Sequence, residues 1–131
     1  MRGIDTNILL RFLIRDDEAQ AQRAAQILTE ECTESSPGFL TSIALVELVW
    51  TLSRVYKYPQ PEITKALTVL LNAKELRFEY PDETHHAIQV YSSGSGDFAD
   101  TLLGNIALRH GCLDTLTFDQ KAARLEAFAS A

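Results

Sequence analysis

Residues 96–119 read GDFADTLLGNIALRHGCLDTLTFD, and the parsing of this stretch decides the fold. Asp97 is a favourable N-cap. A helical run follows to Arg109 and His110, and Gly111 just beyond them is the residue type that closes a helix in the left-handed conformation. Residues 112–118 then read as a strand, with Asp119 after it. A helix that turns back into a strand, with an acid at the strand's end, is the repeating half of a parallel α/β fold.

Working outward, the same alternation recurs. Asp119 opens a last helix to about 128. In the other direction lie a helix over 82–91 opened by Asp82, a strand over 76–80 ended by Pro81, and a helix from Pro61, at its first position, to about 72. Ser42 caps a helix to about 56, with Ile43, Val46, Val49, Trp50 and Ser53 on one side. A strand over 39–41 precedes it. Asp16 or Asp17 opens a helix to about 32, whose Ala21, Ala24, Ala25, Leu28 and Cys32 keep helical spacing. A very short strand over 2–4 stops at Asp5. The pattern predicts an α/β domain with a mostly parallel sheet and helices on both faces, and ligands outside the carboxyl ends of the strands.

The chain has 131 residues, 46% of them hydrophobic and 23% charged. That suits one domain over 1–131 with a core that needs no disulfide or structural metal. Eighteen acids against twelve bases give a net charge of −6, without a basic tail. This argues against a protein that grips duplex DNA through phosphate contacts alone. Asp5, Arg11 and Arg15 interrupt any leader-like apolar stretch, and the apolar runs are too short to span a membrane. Cys32 and Cys112 lack metal or disulfide spacing and read as small buried hydrophobes in a reducing cytoplasm.

Against that ordinary background, five acids stand where ligands bind. Asp5 ends the first strand. Glu47 is the only charge between Thr41 and Ser53, and burial there demands a compensating partner. Asp97 and Asp100 lie three apart at a helix start, on one face. Asp119 follows the last strand. Singly, Asp97 and Asp119 serve as caps, Asp100 as a first-turn acid and Asp5 as a turn residue. Together, carboxylates converging on one crevice repel one another, and a hard divalent cation such as Mg²⁺ or Mn²⁺ relieves that repulsion. No His or Cys cluster competes for a softer metal. Arg11, Arg15, Arg54, Lys57 and Arg109 are either rim cations for phosphates or ordinary solvated surface.

At Asp5-Thr6-Asn7, Glu47 in its apolar helix, Asp97-Phe98-Ala99-Asp100 and Thr117-Phe118-Asp119, in this order, the chain resembles the PIN-domain family and, within it, the VapC toxins of bacterial toxin-antitoxin pairs. The resemblance spans nearly the whole chain. It implies a three-layer α/β/α fold with a central, mostly parallel sheet. It also implies a Mg²⁺- or Mn²⁺-dependent endoribonuclease that cleaves RNA phosphodiesters with metal-activated water. A homodimer and a small antitoxin of VapB type are the implied partners. By position, Asp5, Glu47, Asp100 and Asp119 match the family's acidic quartet. Asp5, Asp97, Asp100 and Asp119 are the implied metal ligands, with Asp97 either a ligand or a cap. Thr6, Asn7 and Thr117 are implied polar supports. The competing reading is a catalytically weak PIN-like module that binds RNA or protein.

Overall fold

A computed structural model describes residues 1–131, and the backbone divides into two compact units, Met1–Pro81 and Asp82–Ala131. Every strand pair in both units is parallel, which makes the chain an α/β protein.

In the first unit, β1 (Arg2–Gly3), β2 (Gly38–Leu40) and β3 (Leu76–Phe78) form a three-stranded sheet in that order. Gly38 is its centre, paired with Arg2 on one side and Leu76 on the other. A Cβ on Gly38 would stand 2.8 Å from Ile4 Cγ1 and 3.0 Å from Cys32 Sγ. Only glycine lets Ile4, just past β1, and Cys32, just past the π-helical turn, close over the strand.

The crossover from β1 to β2 carries α1 (Thr6–Leu13), α2 (Glu18–Gln26) and one π-helical turn (Ile27–Glu31). The crossover from β2 to β3 carries α3 (Ser42–Arg54) and α4 (Gln60–Leu71). Their inward stripes supply the core: Leu9, Ala21, Ala24, Leu45, Leu48, Leu52, Ile63 and Leu67 are all sealed from solvent around Leu40.

In the second unit, α5 (Pro81–Ser92) and α6 (Phe98–Arg109) accompany a two-stranded sheet, β4 (Thr115–Thr117) with β5 (Phe128–Ser130). Thr115 pairs with Phe128 and Thr117 with Ser130. Phe98 is fully buried and meets Tyr91 edge to face, with ring centres 6.3 Å apart. Gly111 closes α6 at φ +91°, as its position in the sequence requires.

Several expectations are corrected. Asp5 does not end at a turn: it caps α1, a helix that the sequence pattern did not reveal. The helix expected from Asp16 or Asp17 to 32 is capped by Asp17, stays α-helical only to Gln26 and widens into the π-helical turn. Thr41, not Ser42, caps α3. The expected last helix from Asp119 is one 3₁₀ turn, Ala122–Arg124, after which the chain becomes β5. Backbone pairing with β4 makes a strand of Phe128–Ser130, beginning where the expected helix would end. Cys32 is buried, but Cys112 is exposed. No helix is long and apolar enough to cross a membrane.

Candidate functional site

The first unit gathers polar groups at the carboxyl ends of its strands. Asp5 follows β1, and its Oδ1 accepts the Thr6 amide at 2.7 Å. Thr41 follows β2, and its hydroxyl accepts the Ala44 amide at 3.1 Å. Glu79 follows β3, and its Oε1 accepts the Ser42 amide at 2.9 Å. Helix starts leave amides without partners, and carboxylate or hydroxyl oxygens satisfy them. Two of the first amides of α3 are therefore held by Thr41 and Glu79.

Thr6 couples these starts. Its hydroxyl donates to the Ala44 carbonyl at 3.1 Å in a buried setting. Asp5, one residue before Thr6, and Glu47, three residues after Ala44, are thereby carried on helices joined at their first turns. Asn7 sits exposed in the opening turn of α1.

Glu47 corrects an expectation. It is exposed, not buried in an apolar helix. The inward stripe of α3 runs through Ala44, Leu45, Leu48, Val49 and Leu52. Glu47 falls on the opposite side with Ile43 and Trp50, which are 73% and 58% exposed. No buried partner is needed, and its carboxylate faces solvent. Trp50 is thus not a core residue.

The second unit brings three acids together. Asp97 caps α6, its Oδ2 accepting the Asp100 amide at 2.9 Å. Thr101 donates its hydroxyl to the Asp97 carbonyl at 2.7 Å. Asp119 Oδ1 accepts the amides of Lys121 at 2.8 Å and Ala122 at 3.2 Å. Thr117 supports it, its hydroxyl accepting the Asp119 amide at 3.0 Å. Asp100 is partly buried, and its carboxyl is pushed above the ordinary carboxylate range by burial first, then by the charges of Asp97 and Asp119.

Burial and neighbouring negative charge both disfavour the ionised form of a carboxyl. The donors are all carboxylate oxygens, the set that suits Mg²⁺ or Mn²⁺. No group of three or more His, Cys, Asp or Glu side chains stands close enough together to hold a metal ion. One oxygen of Asp97 and one of Asp119 are turned to backbone amides. The residue chemistry fits a divalent cation.

Among the expected rim cations, three are paired with acids. Arg11 meets Asp16 at 2.9 Å, Arg15 meets Glu18 at 3.2 Å, and Arg109 meets Glu83 at 3.4 Å. Glu79 was missed in the sequence. It ends a strand as Asp5 does, so the rule that selects Asp5 selects Glu79 as well.

Residues 4–127 match the PIN domain family model. The chain is 26% identical over 125 residues to a VapC ribonuclease of Aquifex aeolicus (strain VF5), an alignment that covers 95% of this chain and 92% of that protein.

Proposed function

This chain belongs to the PIN-domain family, and from that premise we propose that it is a Mg²⁺- or Mn²⁺-dependent endoribonuclease, the toxin of a toxin-antitoxin pair. The observation that carries the chemistry is the placing of three carboxylates in one unit, with Asp97 capping α6, Asp100 in its first turn and Asp119 holding the turn after β4. An enzyme that handles a phosphodiester needs positive charge where its own acids are densest, and a bound cation provides it. The name of the A. aeolicus relative supports RNA as the substrate.

In this reading the whole of 1–131 is one PIN domain. Asp5, Asp97, Asp100 and Asp119 hold the ion, and Glu47 completes the acid set. When bound, a divalent cation neutralises charge on the phosphodiester and makes water a stronger acid at neutral pH. The chain's own residues do the positioning. Thr6 and Glu79 fix the starts of α1 and α3, and with them the bearings of Asp5 and Glu47. Thr117 fixes the turn that carries Asp119. Asn7, exposed beside Asp5, is placed to orient water or phosphate oxygen. A cytoplasmic homodimer and a VapB-type antitoxin complete the proposal.

The test is cleavage of a pool of single-stranded and structured RNA by the purified protein with Mg²⁺, with Mn²⁺ and with EDTA. Cutting that needs the metal and disappears in both Asp5→Asn and Asp100→Asn is the expected result. Cutting that survives both substitutions would overturn the site. No cutting by folded, antitoxin-free protein would overturn the ribonuclease reading.

A further inference from the structure

The second unit contains a cavity of about 360 Å³ that none of the five acids lines. Its apolar walls include Leu108 and Phe128, and its polar groups come from His86, Thr101, Asn105 and Arg124. That volume lies at the small end of ordinary ligand pockets.

The hydrogen bonds fix what those groups can offer. Asn105 Nδ2 stands 3.1 Å from the Glu83 carbonyl oxygen and 3.0 Å from His86 Nδ1. A carbonyl oxygen only accepts, so the atom facing it is the amide nitrogen, and the orientation of the Asn105 amide follows. The second amide proton goes to His86 Nδ1, which must therefore carry the lone pair. The ring proton of His86 is on Nε2. Both N–H groups of Asn105 are spent, so what it has left is Oδ1, an acceptor. What His86 has left is Nε2–H, a donor. Thr101 has spent its hydroxyl proton on the Asp97 carbonyl and offers only lone pairs.

The charge is balanced, because Glu126 joins Arg124 in the lining. A phosphate gains little there. A neutral, flat molecule gains more, with an apolar face for Phe128 and Leu108, a donor for Asn105 Oδ1 and an acceptor for His86 Nε2. The Arg124 guanidinium adds a plane on which a ring stacks. We infer that this cavity seats one unpaired nucleobase of single-stranded RNA. The choice of RNA rests on the ribonuclease reading, and the pocket's donor and acceptor pattern stands without it.

The experiment is binding without cleavage. The ¹⁵N-labelled full chain in EDTA is titrated with adenosine, guanosine, cytidine and uridine, and with ribose as control. Saturable shifts of the Asn105 side-chain amide with at least one nucleoside, and none with ribose, are expected. Leu108→Trp fills the cavity from a half-exposed helix position without removing any of these hydrogen bonds, and should weaken that binding at least tenfold. Asn105→Leu should do the same if it folds. No saturable shift with any nucleoside, equal shifts with ribose, or full binding in Leu108→Trp would overturn the inference. Because the assay needs no metal, base binding by a protein that cuts no RNA would sink the ribonuclease reading alone. Metal-dependent cutting without base binding would sink the pocket alone.

Discussion

Thr6 donates its hydroxyl to the carbonyl of Ala44 at 3.1 Å, and this buried bond joins the first turn of α1 to the first turn of α3. Removing the hydroxyl while keeping the shape isolates it. Thr6→Val should cost about 1 kcal/mol, the net worth of a buried neutral hydrogen bond. Thr6→Ser should recover most of it. Urea denaturation measures the stability. RNA cleavage under the proposed function should fall several-fold in the Val variant and return in the Ser variant. An unchanged rate in Thr6→Val would mean that the bearing of Glu47 relative to Asp5 does not depend on this bond.

Asp97 is a cap by geometry and a metal ligand by proposal, and two substitutions separate the roles. Asn caps a helix about as well as Asp, whereas Ala loses about 1 kcal/mol. Asp97→Ala should therefore destabilise the protein in EDTA, and Asp97→Asn should not. Asp97→Asn should still need several-fold more Mg²⁺ for half-maximal cleavage. If its Mg²⁺ requirement matches the parent, Asp97 is a cap alone.

Asp100 makes a prediction in pH. Burial and the charges of Asp97 and Asp119 raise its carboxyl above the ordinary range. The folded chain then holds this proton more tightly than the unfolded chain. Without metal, stability falls as pH rises from the ordinary Asp value through the raised one, and the penalty is complete above it. In EDTA at pH 7, Asp100→Asn should be more stable than the parent, and the gap should close as pH falls below the ordinary Asp range. Added Mg²⁺ should stabilise the parent more than the variant. Denaturation series across pH, with and without Mg²⁺, measure both effects. A gap in EDTA that is constant with pH would show that charge at Asp100 is not its cause.

Much of this was legible in the sequence, for identifiable reasons. Gly111, Pro81 and the acids at helix starts are local punctuation, and their local chemistry is also what the structure uses. Residues whose conformation depends on distant backbone were not legible. The stretch from Asp119 to about 128 looks helical until β4 is there to draw the chain into a strand at Phe128. Helix α1 hides in a short apolar run whose cap, Asp5, also ends a strand. Glu47 was misjudged because composition counts neighbours along the chain, while burial depends on the helix face. Its neighbours Leu45 and Leu48 point inward, and it points away.

Trp50 tests the proposed homodimer. It is 58% exposed on the same side of α3 as Ile43 and Glu47. Truncating an exposed side chain changes monomer stability by no more than about 0.5 kcal/mol. An aromatic at the centre of an interface is worth far more. Trp50→Ala should leave the unfolding midpoint nearly unchanged and weaken self-association at least tenfold in sedimentation velocity across a concentration series. Unaltered self-association would place the dimer contact on another face.

Gly104 lies inside α6, where alanine normally gains about 1 kcal/mol of helix propensity. Here the gain should be reversed. A Cβ at Gly104 would stand 2.6 Å from Phe128 Cε2 and 2.9 Å from Ala127 Cβ. The Ala127 contact is with a side chain that has no rotamer in which to retreat, so the backbone leading into β5 must move. Overpacking of this kind costs about 1–3 kcal/mol. Gly104→Ala should lower the urea midpoint despite its better propensity. The amide resonances of 127–130 should shift with it, because the register of β5 on β4 absorbs the strain. A stabilised Gly104→Ala would mean that Phe128 swings aside freely, and the wall it gives the cavity would then be soft.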